Sequence, residues 1–199
     1  MSATAGLVLA LFTGPTRAVI VCMTEQNIPI PQDGEGAYIN FVNGAHAGSE
    51  GAVPGFDFEP YASQASEPAN QLRFYLGSSG NNGAGAVTSG DTYAVLAAGD
   101  TIGADSLFSR AGFTGITTAW QAGVTAGYLG VRFTNEATSN LTYGWVHLTT
   151  MAPLGFPMTV LDWCYEDDGS AITIQQVETD RIYCDGFDDV ACSQIAPAI

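Results

Sequence analysis

The chain has 199 residues, enough for one domain with a sizeable core, and 46% of them are apolar, which excludes a wholly disordered chain. Only 13% are charged: 20 are acidic, five are arginine and none is lysine, for a net charge of −15. That balance excludes nucleic acid as a partner, because phosphate binding needs clustered Lys and Arg, and it excludes docking on anionic membrane surfaces.

The first element is a short apolar run, Ala3 to Phe12. It is too short to span a bilayer, which takes ~20 residues, but it fits the apolar region of a secretory signal peptide. Small residues at Thr16 and Ala18 place cleavage after Ala18. The expected organisation is therefore a signal peptide at 1–18, a β-sandwich domain at 19–176 and an acidic, Cys-containing tail at 177–199. No other stretch is long and apolar enough to cross a membrane as a helix, and the expected location is secreted or cell-surface.

Beyond the leader, apolar and polar residues alternate with period two in short segments divided by Gly, Pro, Asn and Asp, the signature of strands. Candidate strands are 19–23, 36–42, 54–59, 71–76, 91–97, 113–120, 127–134, 142–149, 158–165 and 171–175. In 71–76, Leu72, Phe74 and Leu76 share one face. In 142–149, Val146 and Leu148 share a face with Gly144, while Tyr143, Trp145 and His147 share the other. Both faces are then apolar, which requires something to cover the outside. Pro29 and Pro31 make 28–32 extended but a poor central strand. Asn43-Gly44 is a turn signal. The Gly-rich stretch 77–90 predicts a loop, and 103–111 a short helical turn. About ten short strands point to an all-β fold, a two-sheet antiparallel sandwich with jelly-roll-like topology.

Four cysteines, Cys22, Cys164, Cys184 and Cys192, lie beyond the leader. An even number in an exported chain predicts two disulfides. Three pairings are possible; local closure favours Cys184–Cys192, leaving Cys22–Cys164.

Candidate sites are sparse. Trp120, Tyr128, Tyr143, Trp145 and Trp163, beside His147, offer ring faces of the kind that stack on sugars, although aromatics also fill sandwich cores. Calcium is the most plausible cofactor, since carboxylates cluster at Glu166, Asp167 and Asp168, at Asp185, Asp188 and Asp189, and at Asp57 and Glu59. Asp167-Asp168-Gly169 reads equally as a turn. Asp57 and Glu59, sharing a strand face, are the one carboxylate pair to be drawn for glycoside hydrolysis. His46 and His147 are the only histidines available as bases, and there is no Gly-x-Ser-x-Gly or His-Glu-x-x-His motif.

Three segments carry a likeness. Gly127-Tyr128-Leu129-Gly130-Val131-Arg132-Phe133, Tyr143-Gly144-Trp145-Val146-His147-Leu148 and Asp162-Trp163-Cys164-Tyr165-Glu166 resemble a serial pattern of exported bacterial proteins of unassigned function. Members often carry sorting tails of the PEP-CTERM type. Gln26-Asn27-Ile28-Pro29-Ile30-Pro31 and Gly36-Ala37-Tyr38-Ile39-Asn40 are similar to the opening of the same family. The resemblance implies export and a β-rich scaffold but no chemistry. The tail lacks the apolar helix and basic end of that anchor. Its Asp180 to Asp188 stretch instead resembles an Asp-Gly-Phe-acidic ending of exported proteins, which implies sorting or processing.

The function expected from sequence is that of a non-catalytic exported protein. It would be a surface or matrix component, or a module binding a glycan or another protein, with self-association through strand edges a further option. The alternative is a secreted hydrolase acting on polysaccharide.

Overall fold

The computed structural model describes residues 19–77, 84–110 and 116–175. The fold is all-β, with large antiparallel sheets arranged as a sandwich. Fourteen strands are present among the described residues: β1 (Ile20–Met23), β2 (Ile28–Ile30), β3 (Tyr38–Ile39), β4 (His46–Ala47), β5 (Phe58–Ser63), β6 (Gln71–Leu76), β7 (Gly85–Ser89), β8 (Thr92–Tyr93), β9 (Thr101–Ile102), β10 (Phe108–Ser109), β11 (Val124–Thr134), β12 (Leu141–Thr150), β13 (Met158–Glu166) and β14 (Ile172–Thr173). One helical turn, α1 (Thr118–Gln121), precedes β11. The large sheet runs β1-β13-β12-β11-β7-β10, with β2 also on β13 and β8 on β7; the small sheet runs β4-β3-β5-β6.

The principal core lies between the two sheets. On the large sheet Leu129, Val131, Phe133, Val146, Leu148, Val160 and Trp163 face inward; on the small sheet Ile39, Phe58, Leu72, Phe74 and Leu76 do. Phe41 ties the two together, packing against Phe58, Phe133 and Trp163, and its carbonyl accepts the Trp163 indole N–H at 2.9 Å. The inward set of β6 is the one its alternation predicts.

The outer face of the large sheet is also buried. Tyr128, Tyr143, Trp145 and Cys164 point away from the sandwich core and pack under a third layer. That layer is the β9–β14 ribbon, which supplies Ile102 and Ile172, with Ile174, Leu96 and Phe108 around it. The cover required by the two apolar faces of β12 is therefore present. Gly130 makes it possible: a Cβ there would lie 2.6 Å from Val87, 2.9 Å from Leu96 and 3.0 Å from Ile102.

Four local expectations change. The strand expected at 113–120 is, in its described part, the helical turn α1, because Trp120 is drawn into the core against Phe74. The strand expected from 54 begins at Phe58, since Gly55, at φ +72°, holds a turn after Pro54. The loop expected over 77–90 contains β7, paired to β10 and β11; its small residues are there because a Cβ on Gly85 would press on Phe108. Residues 78–83 of that loop lie outside the described residues. Finally, 103–111 contains β10 after a turn closed by Ser106 N–H to Gly103 O, so it is not helical beyond that turn.

Cys22 and Cys164 form a disulfide directly across the β1–β13 pair, with Cα atoms 4.1 Å apart. That separation fits the narrow, non-hydrogen-bonded position of an antiparallel ladder. Cys184 and Cys192 lie outside the described residues. The bond closes a loop 142 residues long in sequence separation, for which chain entropy predicts a contribution of about 5 kcal/mol. Replacing Cys22 and Cys164 together by Ser is expected to lower the urea unfolding free energy by up to that amount; an unchanged midpoint would contradict it.

Candidate functional site

Three neighbouring strands of the large sheet bring Tyr128, His147 and Asp162 into one row on the outer face. The register pairs Tyr128 with His147 and His147 with Asp162. The Tyr128 and His147 rings stack, with centroids 4.5 Å apart and planes 12° apart. His147 Nδ1 lies 3.2 Å from Asp162 Oδ2, and both side chains are less than one-fifth exposed.

A β-bulge aims the carboxylate. The pairing steps from His147–Asp162 to Leu148–Val160, leaving Leu161 as the extra residue. Val160 and Trp163 then both face the core, where strict alternation would put them on opposite faces, and Asp162 turns outward beside His147. The Leu161 carbonyl accepts N–H bonds from Gln26 at 2.9 Å and Asn27 at 3.3 Å. The turn that supplies them is strained, with Glu25 and Asn27 at φ +57° and +48°. A carboxylate on one ring nitrogen leaves the other as the working position of a histidine. Here His147 Nε2 and Asp162 Oδ1 are buried without a hydrogen-bond partner. Sequence reasoning singled out His147 but missed Asp162, because the bulge that rotates it outward has no signature in residue spacing.

The aromatic residues expected to offer ring faces are placed differently. Trp120 and Trp163 belong to the sandwich core. Trp145 and Tyr143 are in the outer layer under the β9–β14 ribbon, at 2% and 7% exposure. Tyr128 meets Trp145 edge-on at 5.2 Å, and Tyr143 lies 5.9 Å from Phe108. Their rings thus meet other side chains of the same layer.

The carboxylates also diverge. Asp167 Oδ1 accepts the Val19 N–H at 3.0 Å. Asp168 accepts both the N–H and the hydroxyl of Ser170, which closes its own turn and holds its carboxyl below the usual range. Glu166 is buried, and burial with Asp168 and Asp167 nearby pushes its carboxyl up. Glu166, Asp167 and Asp168 thus face three different surroundings. Among the described residues no group of three or more His, Cys, Asp or Glu side chains converges as metal ligands; Asp185, Asp188 and Asp189 lie outside them.

Asp57, just before β5, and Glu59, within it, are both buried, but among different groups: Phe41 and Glu136 for Asp57; Tyr38, Glu35 and Glu50 for Glu59. A 3₁₀ turn at Glu50–Ala52 leads into a small apolar cluster of Val53, Phe56 and Tyr38. Burial pushes the Asp57 carboxyl up to about 8, against the Phe41 N–H that Oδ2 accepts at 2.8 Å, with Glu136 raising it further. Burial likewise pushes Glu59 up to about 7, against a hydrogen bond from Tyr38, with Glu35 and Glu50 adding. The Tyr38 hydroxyl, donating to Glu35 at 3.2 Å, is itself pushed up by burial and by Glu59. His46 is exposed on β4, its Nδ1 3.3 Å from the Gly44 carbonyl.

Set against known protein families, curated proteins and solved structures, the chain matches none.

The buried carboxyls make a definite pH dependence. An unfolded Asp ionises near pH 4. Below that pH Asp57 is neutral in both states and costs nothing. Between about pH 4 and 8 the unfolded chain ionises while the folded one holds its proton, so stability falls as pH rises; above about 8 it levels off. Glu59 acts the same way over a window ending near 7. The urea midpoint is therefore expected to be higher at pH 5 than at pH 8. Asp57→Asn, whose amide oxygen still accepts the Phe41 N–H, is expected to flatten most of the difference. A midpoint that rises from pH 5 to 8 would contradict the assignment.

Proposed function

We propose that this chain is an exported, non-catalytic protein, a surface or matrix component or a binding module whose partner is a glycan or another extracellular protein. The observation that carries the reading is where the reactive-looking side chains go. The three tryptophans are no more than 2% exposed, and the carboxylates Asp57 and Glu59 are buried among separate groups of neighbours. A polysaccharide hydrolase needs its two carboxylates facing each other across an open groove with a substrate or water between them. Here they serve the scaffold, and the protonated forms that burial favours at neutral pH suit packing. The net charge of −15 supports solubility outside the cell and disfavours nucleic acid. The likeness to exported bacterial proteins of the PEP-CTERM-bearing kind, and the disulfide, support export. The proposal requires no cofactor.

One observation favours a second reading, a secreted hydrolase acting on polysaccharide: the His147–Asp162 pair, with its stacked Tyr128, has the form of a base oriented by a carboxylate.

Expression of the full chain in an exporting bacterial host separates these readings. The first predicts a secreted form that begins at Val19 by mass spectrometry. It also predicts reducing-end release from polysaccharides at background for the wild type and for His147→Ala alike. Glycan-array or partner binding should survive His147→Ala. Hydrolysis by the wild type that His147→Ala abolishes would overturn it in favour of the second, and an intact Met1 on the exported form would sink the leader.

A further inference from the structure

The two ends of the disulfide have different surroundings. Cys164 packs in the outer layer and is 2% exposed, whereas Cys22 stands exposed on β1, the outermost strand of the large sheet. A cavity of about 210 Å³ lies against the bond. Both cysteines line it, with Ile20, Trp145 and Ile172 among others, and none of its lining residues is charged. Among the described residues β1 pairs with β13 alone. The Asp167 N–H to Val19 O bond at 3.2 Å fixes the phase of that ladder. Its hydrogen bonds therefore run through the Val21–Tyr165 and Met23–Trp163 pairs, and the Cys22–Cys164 position carries none. Val19 and Ile20 are 51% and 45% exposed, and Val21 and Met23 are only partly buried against the core. Past β1, the Gln26 and Asn27 N–H groups hold the chain on the Leu161 carbonyl, and β2 pairs with β13 over Met158–Val160. A short ladder and one covalent bond thus hold β1, while the chain after it is anchored independently.

We propose that the Cys22–Cys164 bond is a reducible latch: a low-molecular-weight thiol opens it at Cys22, and β1 then peels from β13 while the sandwich stays folded. Exposed disulfides are the labile ones, and the sulfur that is attacked is the one within reach. A thiolate attacks the Cys22 sulfur; the S–S bond breaks, and Cys164 leaves as a thiolate that takes a proton from water. The thiol's own substituent, now in mixed disulfide with Cys22, has the cavity to occupy. A second thiolate attacks the substituent's sulfur and releases Cys22, which is protonated in turn. Overall two small thiols are oxidised to one disulfide, and their two electrons reduce the protein bond to two thiols. The charges beside the latch are acidic: Glu166 pairs with Ile20, and Asp167 accepts the Val19 N–H. They favour a thiol that carries no negative charge. Peeling β1 would bare the backbone of β13 from Trp163 to Glu166, an open sheet edge of the kind that accepts another strand.

The test uses the full chain and 2-mercaptoethanol, a small neutral thiol. Quenched alkylation and peptide mapping follow Cys22 and Cys164, without denaturant and in denaturing urea. The latch predicts a native reduction rate within tenfold of the rate in urea, with the trapped mixed disulfide on Cys22. Slower native reduction, or a mixed disulfide on Cys164, would overturn the proposal. Amide hydrogen exchange then compares the oxidised chain with the reduced one. Exchange at Val21 and Tyr165, which bond across the β1–β13 ladder, is expected to speed up at least tenfold on reduction, while protection along β12 is unchanged. Protection retained at Val21 and Tyr165 would show that β1 does not peel, and protection lost along β12 as well would show that the whole fold opens; either result would contradict the latch.

Discussion

Trp145 and Val146 are consecutive residues of β12, so they point to opposite faces of the sheet, and they are 2% and 0% exposed. A strand of an ordinary antiparallel sandwich hides one face and wets the other. Burying both faces of β12 demands two covers, and much of the architecture follows from that demand. The small sheet covers Val146 and Leu148; the β9–β14 ribbon covers Tyr143 and Trp145. Gly130, paired with Trp145, gives the second cover room to approach. The disulfide then pins β1 to β13 at the cavity where this cover meets the sheet edge.

The same demand decides which candidate site residues remain available. Side chains chosen for their chemistry, such as Trp145 and Tyr143, sit where the cover is complete. One row further along, the outer face emerges at its rim, and there His147 and Asp162 are partly exposed and paired. At the small sheet, burial does the same to Asp57 and Glu59, turning residues that read as a catalytic pair into protonatable groups whose cost grows with pH. The molecule spends its aromatic and acidic side chains on layers, which is the physical basis for reading it as a scaffold or binding protein.

What the sequence makes legible is local. Alternation gives β6 its inward set of Leu72, Phe74 and Leu76, and Asn43-Gly44 gives the turn between β3 and β4, with Gly44 at φ +74°. The two apolar faces of β12 can be read off, and so can the need for a cover. The identity of the cover cannot, because β9 and β14 are two-residue strands more than 60 residues apart, joined only in the folded chain. Glycine misleads where it marks crowding instead of a loop, as at Gly85 in β7. Asp162 escapes because a bulge resets the phase of β13, and alternation carries no memory across a bulge.

The most direct test of two-sided burial is the urea unfolding free energy of Trp145→Ala, since Trp145 lies wholly in the outer layer. If that layer is packed, the loss is about 3–5 kcal/mol, as for other buried aromatic residues truncated to alanine. A loss below about 1 kcal/mol would mean that the outer face of the sheet is solvated, and would contradict the three-layer account.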